Sequence, residues 1–246
     1  MDRLIYTAMT GANSAANRQS ILANNLANAS TNGFRAQLET YRAVPLNGNG
    51  ATTRVFAVEA TAGFSDKSGP AIRTDRSLDA MNVGNSWFAV QGLDGNEAYS
   101  RNGQFDVAPD GTLKTGNGLT VLSSDGSPIT VPTGATLSIG NDGGLTAKIG
   151  SQPANSLGKL KLVTPNADDP LKRGDDGLFH TLSGDPLNQD DTAHVQVGVL
   201  EGSNVNPIES MVGMIQTARQ FEVQMRLLTT AESNDRAAGQ LLGMQG

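Results

Sequence analysis

The sequence predicts an α+β protein in which two terminal α-helices form a coiled coil and the centre is a β-rich domain of short antiparallel strands. Three observations predict it. The first 28 residues hold no proline and carry small or apolar residues at an alternating three-and-four spacing. The last 40 residues repeat that spacing after an Asn-Pro step. Between them, five Asp-Gly pairs divide a glycine-rich stretch into short β-type runs. The implied division is 1–46, 47–206 and 207–246, with the two terminal pieces sharing one helical domain.

The first helix is expected over Asp2 to Asn28, with Ile5, Ala8, Ala12, Ala15, Gln19, Leu22 and Leu26 on one stripe. Four of those seven are small or polar, so the stripe is thin and the isolated helix marginal. Small residues do admit close approach by another helix. Pro45 to Gly50 reads as a linker.

In the middle, strands are expected at Arg54 to Glu59, Trp87 to Val90, Gln104 to Val107, Ile129 to Val131, Leu145 to Ile149 and Leu160 to Val163. His194 to Leu200 reads as one alternating strand ending before Gly202. The Asp-Gly pairs at 94–95, 110–111, 125–126, 142–143 and 176–177 mark tight turns. Seven of the eleven aromatic residues lie in this segment, enough to seed a compact core.

Asn206-Pro207 starts the last helix, Pro suiting its first position. Met211, Met214, Ala218, Phe221, Met225 and Leu228 give its stripe, broadened by Ile208, Val212 and Ile215. The methionines read first as ordinary core and second as fillers of irregular gaps between helices. Leu241, Leu242 and Met244 suggest a further apolar turn.

Composition excludes several function classes. There is no cysteine, hence no thiolate catalysis or cysteine-ligated metal. Two histidines, His180 and His194, have no neighbouring nucleophile motif. Asp168-Asp169 and Asp175-Asp176 flank Lys172-Arg173 without the spacing of a calcium loop, and read as solvated loop. No cofactor, metal or catalytic residue is expected, and no enzyme. The net charge of −6 is concentrated in residues 47–206, which carry −7, and no basic cluster suits nucleic acid. No apolar run approaches 18 residues, so no direct membrane insertion is expected. Asp2 and the lack of an apolar segment are unlike a cleaved secretory signal.

The block Ala23-Asn24-Asn25-Leu26-Ala27-Asn28-Ala29-Ser30-Thr31-Asn32-Gly33-Phe34-Arg35 resembles the N-terminal signature of bacterial flagellar rod and hook proteins. The resemblance continues through Thr74-Asp75, Leu78-Asp79-Ala80, Trp87-Phe88-Ala89-Val90, Tyr99 to Phe105 and Gly111-Thr112-Leu113. It ends in Ser203-Asn204-Val205-Asn206-Pro207-Ile208-Glu209-Ser210-Met211-Val212 and so covers nearly the whole chain. Gly84-Asn85-Ser86-Trp87 departs from it, with Asn where the family often repeats Gly and Trp where Phe is common. Length and the opening Met1-Asp2-Arg3-Leu4-Ile5-Tyr6 are most similar to a proximal-rod member.

The resemblance implies a structural subunit of the proximal rod that polymerises with itself and with other proximal and distal rod proteins. It implies a tube that transmits torque and conducts exported subunits, with terminal helices inside and the β body outside. It further implies export by the flagellar type III apparatus without a cleaved signal peptide, and residence in the basal body within the periplasm. Terminal apolar surface would then find its partners on sister molecules, ordering on assembly. Two other readings stay open: another axial protein of the distal rod or hook, and a secreted β-rich carbohydrate-active or carbohydrate-binding protein.

The expected assembly interface comprises Ile5, Ala8, Ala12, Ala15, Leu22, Asn24, Asn25, Leu26, Asn28, Gly33, Phe34, Met211, Met214, Ile215, Ala218, Phe221, Met225 and Leu228. Asn28 to Gly33 reads mainly as a helix end, with Gly33 at positive φ. Asn24 and Asn25 are expected to turn their amides to neighbouring subunits, each bond worth about 1 kcal/mol.

Overall fold

The computed structural model describes residues 4–45, 55–166 and 168–243. Met244, Arg54 and residues 46–50 of the expected linker therefore lie outside the described residues, and the side chains of Leu241 and Leu242 are likewise not described. Helix α1 (Leu4–Ala27) is followed by β1 (Gln37–Pro45) and β2 (Val55–Phe64). Seven short strands follow: β3 (Ala71–Arg73), β4 (Ala80–Asn82), β5 (Trp87–Gln91), β6 (Glu97–Ser100), β7 (Phe105–Val107), β8 (Leu113–Thr115) and β9 (Thr120–Val121). Then come β10 (Ala135–Ile139), β11 (Gly144–Ile149), β12 (Asn155–Lys159), β13 (Leu162–Val163), β14 (Leu171–Arg173) and β15 (Phe179–Thr181). Strands β16 (Val195–Val197) and β17 (Val199–Glu201) precede the long helix α2 (Pro207–Gly243). The α+β class is as the sequence predicts, and every strand pairing is antiparallel.

The chain divides into two compact units. One holds α1, the β1–β2 hairpin and α2; the other holds Ser30–Arg35 and Asp66–Asn204. The expected division after residue 46 falls between β1 and β2, which pair with each other and both belong with the helices.

In the helical unit, α1 stops where its asparagines begin to bond locally. The Asn28 side chain donates to Asn24 O at 2.9 Å, and its N–H reaches the carbonyls of Asn24 and Asn25. Helix α2 starts as expected: Asn206 Oδ1 accepts from the N–H groups of Ile208 (3.1 Å) and Glu209 (3.3 Å), with Pro207 at the first helical position. The hairpin runs in register from Gln37 opposite Phe64 to Pro45 opposite Val55, with a bulge at Thr40/Tyr41.

In the β unit, β5 is central. One edge pairs with β6 along Phe88 to Gln91, and the other is shared by β13 and β9. Trp87 to Val90 are all buried, the pattern of a strand covered on both faces. Phe88 meets Phe105 edge-on at 5.1 Å within a core that includes Leu113, Val121, Leu145, Leu160 and Leu162. Its neighbour Trp87 points the other way and packs against Phe179 at 4.6 Å.

The Asp-Gly turns form as predicted, each glycine at φ between 75° and 83°. Four of the aspartates accept the N–H two residues on, from Asn96, Thr112, Gly144 and Leu178, which rigidifies the turn. Two expected strands differ. Ile129 and Val131 are buried with Thr130 exposed between them, but the segment makes only isolated bridges, because Pro128 and Pro132 remove flanking donors. His194 to Leu200 is broken at Gly198, whose φ of 75° turns the chain. Strand β16 then pairs with β4 while β17 pairs with β3.

Candidate assembly interface

Within the helical unit, α1 and α2 lie antiparallel. Gly11 faces the Gln224 carboxamide and Gly213 faces Leu22, where an added methyl would come 3.2 Å from Leu22 Cδ1. Ala8, Ala12 and Ala15 are buried, and Ile5, Leu22 and Leu26 are half-buried, as the three-and-four spacing predicts. The α2 side of the seam is Ser210, Met214, Thr217, Phe221, Gln224, Leu228 and Ala231, of which Ser210, Thr217 and Ala231 are buried. This seam is rotated from the expected one. Met214 and Leu228 are half-buried and Phe221 lies at the margin, but Met211, Ala218 and Met225 are exposed. The reason is packing distance: alanine and glycine on α1 bring the backbones close, which favours the face of α2 that sets the small residues Ser210, Thr217 and Ala231 among its larger ones.

The residues displaced from that seam make a second one. Ile208, Met211, Ile215 and Ala218 recur at the same three-and-four spacing, about a third of a turn around α2, and Met225 continues the stripe two turns on, past Glu222. All five are exposed, Ile208 by 74%, Ile215 by 56% and Met211 by 51%. On α1, Tyr6 and Met9 are exposed as well. Some terminal apolar surface is thus met inside the chain, contrary to the expectation that its partners lie on sister molecules. The bulkiest part is not.

The asparagines separate. Asn24 is exposed. Asn25 is buried and turned inward, its Nδ2 donating to Gln37 O at 3.0 Å and its Oδ1 accepting from Gln37 N–H at 2.9 Å. The expected bond from Asn25 to a neighbour is therefore replaced by an internal one, because β1 leaves the signature alongside the end of α1. Gly33 and Phe34 are also committed inside the chain. Gly33 has φ 71°, and its N–H donates to Glu201 O at 2.7 Å. A side chain there would strike the Arg101–Asn102 backbone. The Arg173 guanidinium lies 4.5 Å from the Phe34 ring centroid.

Arg35, the last signature residue, was not singled out by its pattern, nor were Arg101 and Glu201. All three side chains are 1% exposed. Glu201 Oε1 lies 2.8 Å from Arg35 Nη2, and Oε2 lies 3.4 Å from Arg101 Nη1. Both guanidinium groups sit over Trp87, at 5.9 Å and 5.0 Å from the ring centroid. Burial lowers the affinity of both arginines for their protons, and Glu201 opposes that; Arg101, with Arg35 beside it, falls to about 10. A sequence signal existed: Glu201 is the one acid in the apolar run Val195 to Gly202.

Among the described residues no group of three or more His, Asp or Glu is placed to hold a metal, and no helix is long and apolar enough to cross a membrane. Asp169 instead accepts from the N–H groups of Leu182 and Ser183 and from the Ser183 hydroxyl. His180 Nε2 lies 3.0 Å from Asp176 Oδ2.

Three family models match in succession. That of the flagella basal body rod protein covers residues 5–35, the D1 domain of the flagellar hook protein FlgE/F/G covers 82–147, and the C-terminal part of the flagellar basal body rod FlgEFG proteins covers 196–241. The flagellar basal-body rod protein FlgF of Salmonella typhimurium is 43% identical across 99% of this chain and all of its own. That of Escherichia coli K12 is 44% identical with the same coverage, whereas a FlgG of Buchnera aphidicola (subsp. Schizaphis graminum) is 29% identical across 93% of this chain and 95% of its own. With helices at both ends, a β body between them and this identity over full length, the chain belongs to the FlgF family of flagellar basal-body rod proteins.

Proposed function

We propose that the chain is a structural subunit of the proximal rod, joining other rod proteins through the exposed α2 stripe Ile208, Met211, Ile215, Ala218 and Met225. The carrying observation is that α2 has two stripes of helical spacing and only one is covered by α1. An uncovered apolar stripe of this kind is a helix-docking surface, and a head-to-tail contact through it builds an open helical array. In that array the helix pair is proposed to supercoil and line the tube, with Asn24 at the contact. Export through the flagellar type III apparatus, without a cleaved signal, and residence in the periplasmic part of the basal body belong to the same proposal. The 43% and 44% identity to the FlgF proteins of Salmonella typhimurium and Escherichia coli, against 29% to the Buchnera FlgG, favours this position in the axis over the distal rod.

The test is a Met211→Asp/Ile215→Asp double variant in a flagellated host lacking its own FlgF. Loss of rod completion and swimming, with far-ultraviolet helicity of the purified chain unchanged, is the expected result. Normal swimming would overturn the assignment of this stripe.

A further inference from the structure

The buried charge cluster of the β unit is built from distant parts of the sequence. Arg35 comes from the segment Ser30–Arg35, Arg101 from the loop after β6, and Glu201 from the end of β17, a hundred residues beyond Arg101. Among the described residues Glu201 is the only buried carboxylate on the two cations; Asp66, whose charge also reaches both, is exposed. The same carboxylate accepts the Gly69 N–H at 3.1 Å, and the Glu201 carbonyl accepts that of Gly33.

Chain order gives this arrangement a consequence. Until Glu201 arrives, docking Ser30–Arg35 would bury a second guanidinium beside Arg101 with no buried counter-charge, Asp66 being exposed to solvent. Like charges repel at close range, and an unpaired buried ion is strongly unfavourable. The cation–π contacts with Trp87 cannot supply a negative charge. We propose that Glu201 is a folding gate: the signature segment docks onto the β unit only after the strand carrying Glu201 is in place, so the N-terminal signature closes last.

What closes is more than one contact. Arg35 Nη1 donates to the carbonyl of Lys67 and, at 3.3 Å, to that of Asp66. The Asn204 side chain donates to the same Lys67 carbonyl at 2.7 Å, and the Asn204 N–H to Phe34 O at 3.2 Å. Residues 34–35, 66–67 and 201–204 lie at three of the four places where the chain enters or leaves this unit, the fourth being Ser30, and the gate would fasten those three together in one step. The inference concerns the β unit alone and stands independently of the rod assignment.

Hydrogen exchange on the full-length chain tests it. In pulse labelling during refolding, the Gly33 amide should become protected roughly tenfold or more later than the Leu122 amide, which bonds to Ala89 within the β core. At equilibrium, Glu201→Gln should lower Gly33 and Asn204 protection by roughly tenfold or more and leave Leu122 unchanged. The triple variant Arg35→Met/Arg101→Met/Glu201→Met, which removes all three charges, should protect Gly33 together with Leu122. Simultaneous protection of Gly33 and Leu122 in the unaltered chain would overturn the gate, and so would undiminished Gly33 protection in a folded Glu201→Gln chain. Should Glu201→Gln fail to fold, the refolding order of the unaltered chain decides.

Discussion

The Asn25 carboxamide and the Gln37 peptide group exchange two hydrogen bonds, 3.0 Å and 2.9 Å long, so that a side chain near the end of α1 pairs with the first residue of β1 as a neighbouring strand would. The pairing satisfies both backbone groups of Gln37 at the point where the chain leaves the signature. Asn25→Ala removes both bonds and leaves Gln37 without them, so a loss of about 2 kcal/mol is expected. Urea unfolding of the purified chain measures it. Asn24→Ala, on the exposed neighbour, should leave the unfolding midpoint where it is.

Gly33→Ala should be more damaging. The position combines φ of 71° with close approach of the Arg101–Asn102 backbone, so a methyl group meets strain and overlap together. A loss above about 2 kcal/mol is expected, seen as a lower thermal midpoint with increased tryptic cleavage after Arg35. An unchanged midpoint would contradict the docked geometry of the signature.

Thr217→Val is expected to act in the opposite direction. Thr217 is 1% exposed in the helix seam, and its Oγ1 has no hydrogen-bond partner among the described residues. Valine keeps the shape and removes the unsatisfied hydroxyl, so a gain of about 1 kcal/mol should follow. Lower helicity or a lower midpoint would show that the hydroxyl is used.

Acid should weaken the β unit through its turns. Hydrogen bonds to their side chains hold Asp94, Asp110, Asp125, Asp142, Asp169 and Asp190 below the ordinary value of 3.8. A carboxyl group depressed in the folded state contributes its stability above the unfolded value and loses it as pH falls through the folded one. Urea midpoints should therefore be flat from pH 7 to about 5 and fall below about pH 4. A midpoint unchanged at about pH 3 would mean that these bonds form equally well to the protonated acid.

The sequence made the terminal helices and the turn-rich middle legible because each rests on local chemistry: spacing for α1 and α2, Asp-Gly for the turns, Asn206-Pro207 for the start of α2. Of the β1–β2 hairpin only the stretch to Glu59 in β2 was legible, since its pairing joins residues on either side of an apparent linker. The rotation of the α2 seam was hidden for a different reason. Two apolar stripes overlap on one helix, and the partner helix chooses the face with the smaller residues, Ser210 and Thr217, over the one a hydrophobicity count favours. The Arg35–Glu201–Arg101 cluster is wholly non-local, so only the inward-facing acid of β17 hinted at it.

Because Arg35, Lys67 and Asn204 stand side by side, the points at which the chain leaves the β unit, returns to it and leaves it again adjoin one another within that unit. A change in the bulk of the unit that keeps these points together is therefore expected to leave the signature docked.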